Sequence, residues 1–151
     1  MSYYIHLWVS IRYIDNSGII KVGISDNSFS TYVFDRVSIT SSEDFTITDN
    51  DTEEVSFPRD SIIDIVLKNG VFAIYQNSNL LFRTDKKVVI IPAPQQTISI
   101  IGLKRKSKQA SYLGNIELVK SSKSQDKFSV VNVLPVQTYL KGVVPNEMPT
   151  D

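Results

Sequence analysis

Fourteen residues, IIDIVLKNGVFAIY from Ile62 to Tyr75, place the tightest limit on how this chain folds. Apolar side chains recur at nearly every second position on both sides of Asn69-Gly70, which is the period of a strand with one buried face. Asn-Gly accepts two successive positive φ angles, as a two-residue type I′ turn requires. The segment therefore predicts a β-hairpin.

The same period runs through most of the chain, carried by β-branched and aromatic residues. His6 to Ile14 reads as one strand with Leu7, Val9, Ile11 and Tyr13 on a common face. Asp15-Asn16-Ser17-Gly18 then turns it into Ile19 to Ile24, making a first hairpin. Shorter strands are expected at Phe29 to Phe34 and Val37 to Ile39, on either side of Asp35-Arg36. Asn77-Ser78-Asn79 turns into Leu80 to Arg83 and Asp85-Lys86 into Lys87 to Ile91, so four runs from Ile62 to Ile91 predict a β-meander, ended by Pro92-Ala93-Pro94. Thr97 to Leu103 adds a strand, and Gly114 to Lys120 with Lys127 to Val133 a last hairpin across SSKSQD.

The pattern changes only at Leu134-Pro135. Pro135 suits the first position of a helix, and Val136, Tyr139, Leu140 and Val143 fall on one helical face. Gly142 and Pro145 end that helix, leaving Asn146, Glu147 and Met148 in a loop. The expected fold is mainly β: antiparallel hairpins and a meander forming a small barrel or sandwich, with a short helix near the C-terminus. With 151 residues, 42% of them hydrophobic, the chain can bury one domain's core, or one domain and part of a second. No run approaches the roughly 20 apolar residues of a membrane span. The opening MSYYIHLWV lacks the basic start of a signal peptide, so the expectation is a cytosolic chain or one whose export signal lies before Met1.

Net charge is zero, which removes the global argument for nucleic acid as a partner. The charge is unevenly placed, however: residues 1–60 sum to −6 and residues 61–151 to +6. Such halves can hold each other or face different ligands. Cysteine is absent and His6 is the single histidine, so neither disulfides nor a recognisable zinc site is expected. His6 also lacks the Ser or Cys partner of a catalytic triad, and a structural or partly exposed role is expected of it.

Three polar stretches invite functional readings. In EDFTITDNDTEE, Glu43 to Glu54, the spacing of Asp49, Asp51 and Glu53 is that of a calcium loop. Glu54 stands where the sharp-turn glycine should be, and no glutamate occupies the twelfth position, so a solvated loop is expected. KRKSK, Lys104 to Lys108, could meet a polyanion. No aromatic residue interleaves it, so a charged loop is expected there too. Glu147 differs, because Pro145 and Pro149 restrict its backbone and Met148 adds an apolar neighbour. Confinement of that kind raises a carboxyl pKa toward what a general acid needs near neutrality, although composition alone favours a surface loop.

The run VVNVLPVQTYLKGVVPNEMP, Val130 to Pro149, resembles the motif of the SpoIID/LytB family, the bacterial stage II sporulation protein D and amidase-enhancer proteins. Asn132, Leu134-Pro135, Tyr139-Leu140, Gly142-Val143-Val144 and Glu147-Met148-Pro149 carry the likeness. Gly114-Asn115-Ile116-Glu117 resembles the family's approach to it. Upstream of about residue 110 only the strand content is similar.

The resemblance implies a peptidoglycan lytic transglycosylase acting on glycan strands without stem peptides. Glu147 would be its catalytic acid, with Tyr139, Asn146 and Met148 supporting substrate binding. Gln137 and Thr138 stand where many members carry an acidic residue, and the cysteines and histidine of zinc-binding members are missing. Members continue past Glu-Met-Pro into an alanine-rich helical segment. The expectation is thus a β-rich accessory domain over 1–110 and, over 111–151, the start of a catalytic domain that would be inactive alone. Neither cofactor nor metal is expected. The implied partners are peptidoglycan glycan strands and, for an enhancer, a cell-wall amidase. The implied location is the bacterial cell envelope, with any membrane attachment through a segment outside this chain.

Overall fold

The structure, a computed structural model, describes residues 18–27, 31–105 and 107–138 in full and the backbone of residues 3–7 and 10–14. Among these residues, fifteen strands, numbered along the chain, pair into two wholly antiparallel sheets. The larger sheet runs β1 (Tyr3–Leu7), β2 (Ser10–Ile14), β3 (Ile19–Ile24), β15 (Phe128–Pro135), β14 (Asn115–Lys120), β11 (Val88–Pro92), β6 (Phe45–Thr48) and β7 (Glu54–Phe57). The short β4 (Val33–Phe34) joins it beside the first residues of β15. The smaller sheet runs β10 (Asn79–Thr84), β9 (Val71–Gln76), β8 (Ile63–Lys68), β5 (Arg36–Thr40), β12 (Thr97–Arg105) and β13 (Lys108–Leu113). Of the two architectures the sequence allows, a sandwich forms and no closed barrel. No helix among the described residues is long and apolar enough to cross a membrane.

Alternation decides what fills the space between the sheets. Ile20, Val22 and Ile24 on β3 and Phe128, Val130 and Leu134 on β15 point inward from the larger sheet. Val37 and Ile39 on β5, Ile63, Ile65 and Leu67 on β8, and Phe72 and Ile74 on β9 point inward from the smaller. Phe72 meets Phe128 edge to face across the gap, centroids 5.4 Å apart and planes at 67°, the arrangement that ring quadrupoles favour. The Asn69-Gly70 turn forms as expected, with φ of 53° and 79°. It is also gripped from the other sheet: the Asn69 amide donates to Asp126 Oδ1 at 2.8 Å and the Gly70 amide to the Gln125 carbonyl at 2.8 Å. The β14–β15 loop thus latches the two sheets together.

Several strands differ from expectation. His6 to Ile14 is two strands, because Leu7 pairs with Ser10 and closes a hairpin. The meander has three strands, β8, β9 and β10, and the fourth run leaves it. As β11 that run crosses to the larger sheet between β14 and β6. Its Val88, Val89 and Ile90 are all buried, as suits an interior strand covered on both faces. Pro135 ends β15 opposite Ile19, where the end of a strand tolerates its missing N–H. The described part of the helix, α1, is Val136–Thr138. The Val136 amide donates to the Gly18 carbonyl at 2.8 Å.

The strands on either side of residue 110 share this sandwich and its core. Beyond Arg105 and Lys108, β13 completes the smaller sheet, while β14 and β15 lie between β11 and β3 in the larger. Charge is shared across the halves as well: Lys86 pairs with Asp51 at 3.2 Å and Lys127 with Asp35 at 3.7 Å. Both pairs are exposed, so solvent screening leaves each a small contribution.

Candidate functional site

Of the residues that carry the family resemblance, the structure describes Gly114–Glu117 and the run from Val130 to Thr138. Asn132 lies on the inward face of β15 and is fully buried. Its Nδ2 donates to the carbonyls of Leu113 at 2.7 Å and Asn115 at 3.2 Å, the residues flanking Gly114. Here the chain passes from the smaller sheet to the larger, at φ +85° on Gly114. A Cβ on Gly114 would stand 2.4 Å from the Val133 carbonyl oxygen, so only glycine fits. Asn132 and Gly114 together fasten the corner that starts the last hairpin. Among the described residues, Asn132 Oδ1 has no hydrogen-bond donor. Glu147, Tyr139, Asn146 and Met148 lie outside the described residues.

The Glu43 to Glu54 stretch is not a solvated loop. It forms β6, a tight connection and the start of β7, paired Phe45↔Phe57 through Thr48↔Glu54. Asp49, the first residue of the imagined calcium site, is buried at the turn. Its Oδ1 accepts from the amides of Asp51 at 2.9 Å, Thr52 at 3.0 Å and Glu53 at 3.0 Å, and its Oδ2 accepts from the Thr84 hydroxyl at 2.8 Å. Burial alone would push this carboxyl up. The hydrogen bonds from Glu53, Thr84, Asp51 and Thr52 outweigh it and lower the pKa from 3.8 to about 2. Oδ1 thus closes the loop while Oδ2 reaches across to β10. Asp51 points to Lys86 instead and holds that ammonium above its ordinary range. No three His, Cys, Asp or Glu side chains among the described residues are grouped as a metal site.

The basic run is also part of the framework. Lys104 and Arg105 end β12, Lys108 begins β13, and Arg105 is only 3% exposed. Its guanidinium donates to the Ser25 carbonyl at 2.6 Å and the Lys104 carbonyl at 2.9 Å. Just before it, β12 bulges. Ser99 faces Ser111 and Lys104 faces Gln109, so β12 carries three more residues than β13 between those rungs. The Gln109 side chain fills the bulge, donating to the carbonyls of Ile100 and Leu103. Asn27 braces its other side through the Gly102 carbonyl at 3.0 Å and the Lys104 amide at 2.6 Å.

A concave site that the sequence did not disclose lies on the outer face of the smaller sheet. It encloses about 750 Å³ over β5, β8, β9 and β10. One row of partners crosses all four strands, Arg36↔Val66↔Ala73↔Arg83, and the next runs Ser38↔Asp64↔Tyr75. Val66, Ala73 and Val71 make a low apolar floor, because the bulkier residues of these strands point inward to the core. Arg36 and Arg83 flank the floor at opposite ends of their row, and Lys68 lies beside the Asn69 turn. The Ser38 hydroxyl is hydrogen-bonded to Asp64. Among the described residues, no carboxylate lies within ion-pair distance of Arg36, Lys68 or Arg83. The available signal was the outward set of each strand, but only the strand order places Arg36 and Arg83 in one row.

Compared with models of protein families, with curated proteins and with solved structures, the chain gives no match.

Proposed function

We propose that this chain carries the catalytic glutamate of a peptidoglycan lytic transglycosylase of SpoIID type. The observation that carries the reading is the density of motif residues over Val130 to Pro149, ending in Glu147-Met148-Pro149. In the proposed reaction Glu147 protonates the glycosidic oxygen as the leaving sugar departs. The 6-hydroxyl of the cleaved sugar then attacks its own anomeric carbon and gives its proton to the Glu147 carboxylate. The product is a 1,6-anhydro end, and no second carboxylate is needed as nucleophile or water-activating base, unlike ordinary glycoside hydrolysis. Tyr139, Asn146 and Met148 would support substrate beside the glutamate, in a protein working in the bacterial cell envelope.

The test is Glu147→Gln in the full-length protein, with cleavage of stem-peptide-free glycan as the readout. Cleavage should be lost while folding is kept; unchanged cleavage overturns the catalytic role.

A second reading is favoured by the concave face of the smaller sheet, where Arg36, Lys68 and Arg83 border an apolar floor. There the chain is a non-catalytic cell-wall binding module that targets or enhances an amidase. Retention on purified peptidoglycan that is indifferent to Glu147→Gln and sensitive to Arg83→Gln would favour it over catalysis.

A further inference from the structure

We infer that the concave outer face of β5, β8, β9 and β10 binds an acidic polysaccharide through its carboxylates, with Arg36 and Arg83 as the two anchoring cations. The inference gives the binding reading a ligand class and a site, and does not depend on Glu147.

Charge comes first. Three cations, Arg36, Lys68 and Arg83, border the site against one carboxylate, Asp64, which is already engaged by the Ser38 hydroxyl. Guanidinium groups present a planar fork that takes a carboxylate with two parallel hydrogen bonds. Adjacent strands lie about 4.8 Å apart, so the backbones bearing Arg36 and Arg83 are separated by roughly 14 Å across the row. A chain with repeated carboxylates can engage each arginine in turn across that spacing.

The floor argues for sugar. Val66 and Ala73 leave a shallow, smooth strip between the two arginines, and Tyr75 offers a ring on the adjacent row. Such a strip suits the C–H faces of pyranose rings, while Ser78, Asn69 and Asp64 at the margin can exchange hydrogen bonds with hydroxyls. A peptide fits less well. β5, β8 and β9 are interior strands whose backbone groups serve the sheet ladder, so an extended peptide laid on this face finds none of the main-chain partners that an open sheet edge supplies. A single-stranded nucleic acid wants successive aromatic platforms, and this floor has one ring.

The test is isothermal titration of the 151-residue chain with polygalacturonate fragments and with the same fragments fully methyl-esterified. The acidic form should bind, more weakly as salt rises, and the esterified form should not. Arg36→Gln and Arg83→Gln, both at exposed positions, should each weaken binding about ten- to hundredfold, the value of a hydrogen bond to a charged group. Their melting temperatures should match the unsubstituted chain. Equal binding of the esterified form, affinity unaffected by both substitutions, or binding of polyphosphate or an acidic peptide in place of polygalacturonate would each overturn the inference. Polygalacturonate is not a component of peptidoglycan, so this result stands or falls separately from retention on cell wall.

Discussion

The Thr84 hydroxyl donates to Asp49 Oδ2 at 2.8 Å, tying the last residue of β10 in the smaller sheet to the turn after β6 in the larger. The same carboxylate caps its own loop through three backbone amides. Because β11 begins shortly after Thr84, Asp49 secures the point at which the chain changes sheets. Asp49→Ala should cost about 2 kcal/mol by stranding the buried Thr84 hydroxyl and opening the loop. Asp49→Asn, which keeps an acceptor for the amides, should cost less. Denaturant unfolding of the two variants checks the order.

The lowered pKa of Asp49 predicts an acid limb. A carboxyl depressed in the folded state contributes stability that is fully present above its ordinary pKa of 3.8 and is lost as pH falls toward about 2. Stability of the unsubstituted chain should therefore decline across that window. Asp49→Asn should show a shallower decline, and an unchanged slope would remove the carboxylate from the explanation.

Two glycines with the same φ of +85° should respond differently to alanine. At Gly102 a Cβ meets nothing within 4 Å, so only backbone strain remains, about 1–2 kcal/mol. At Gly114 the new Cβ adds a collision with the Val133 carbonyl oxygen at 2.4 Å and with Leu134 Cβ at 2.7 Å. Gly114→Ala must displace β15 and should cost roughly 3 kcal/mol or more. Thermal melting that ranks Gly102→Ala as the more damaging would contradict the close packing at this corner.

Asn132→Leu should be strongly destabilising despite its similar size. It removes both donors from the part-buried Leu113 and Asn115 carbonyls, at a cost of about 1–3 kcal/mol. Amide hydrogen exchange should quicken first in β14 and β15, because Asn132 on β15 holds the corner from which β14 starts. Uniform loss of protection across both sheets would argue against a local clamp.

Local chemistry was legible where a few adjacent residues decide it. Asn69-Gly70 declared its turn, and the apolar runs on either side of it declared the hairpin of β8 and β9. What sequence could not supply was the choice of partner. Lys87 to Ile91 looks like one more meander strand, yet its run of apolar residues suits a place between β14 and β6. Phe45–Thr48 and Glu54–Phe57 were hidden because each strand is only four residues long and carboxylates crowd the turn between them. Asp49 looked like half of a metal site because spacing does not reveal which oxygens already have donors. In the same way, a run of basic letters does not disclose that Arg105 is turned inward. The motif glutamate stood out only through the residues around it, since a carboxylate between two prolines has no chemistry that composition alone can identify.

Product chemistry tests the central claim most directly. Stem-peptide-free glycan incubated with the full-length protein should yield strands ending in 1,6-anhydro sugar by mass spectrometry, and Glu147→Gln should yield none. Ordinary reducing ends from the unsubstituted protein, or anhydro ends undiminished in the variant, would contradict a single-carboxylate transglycosylase with Glu147 as its acid.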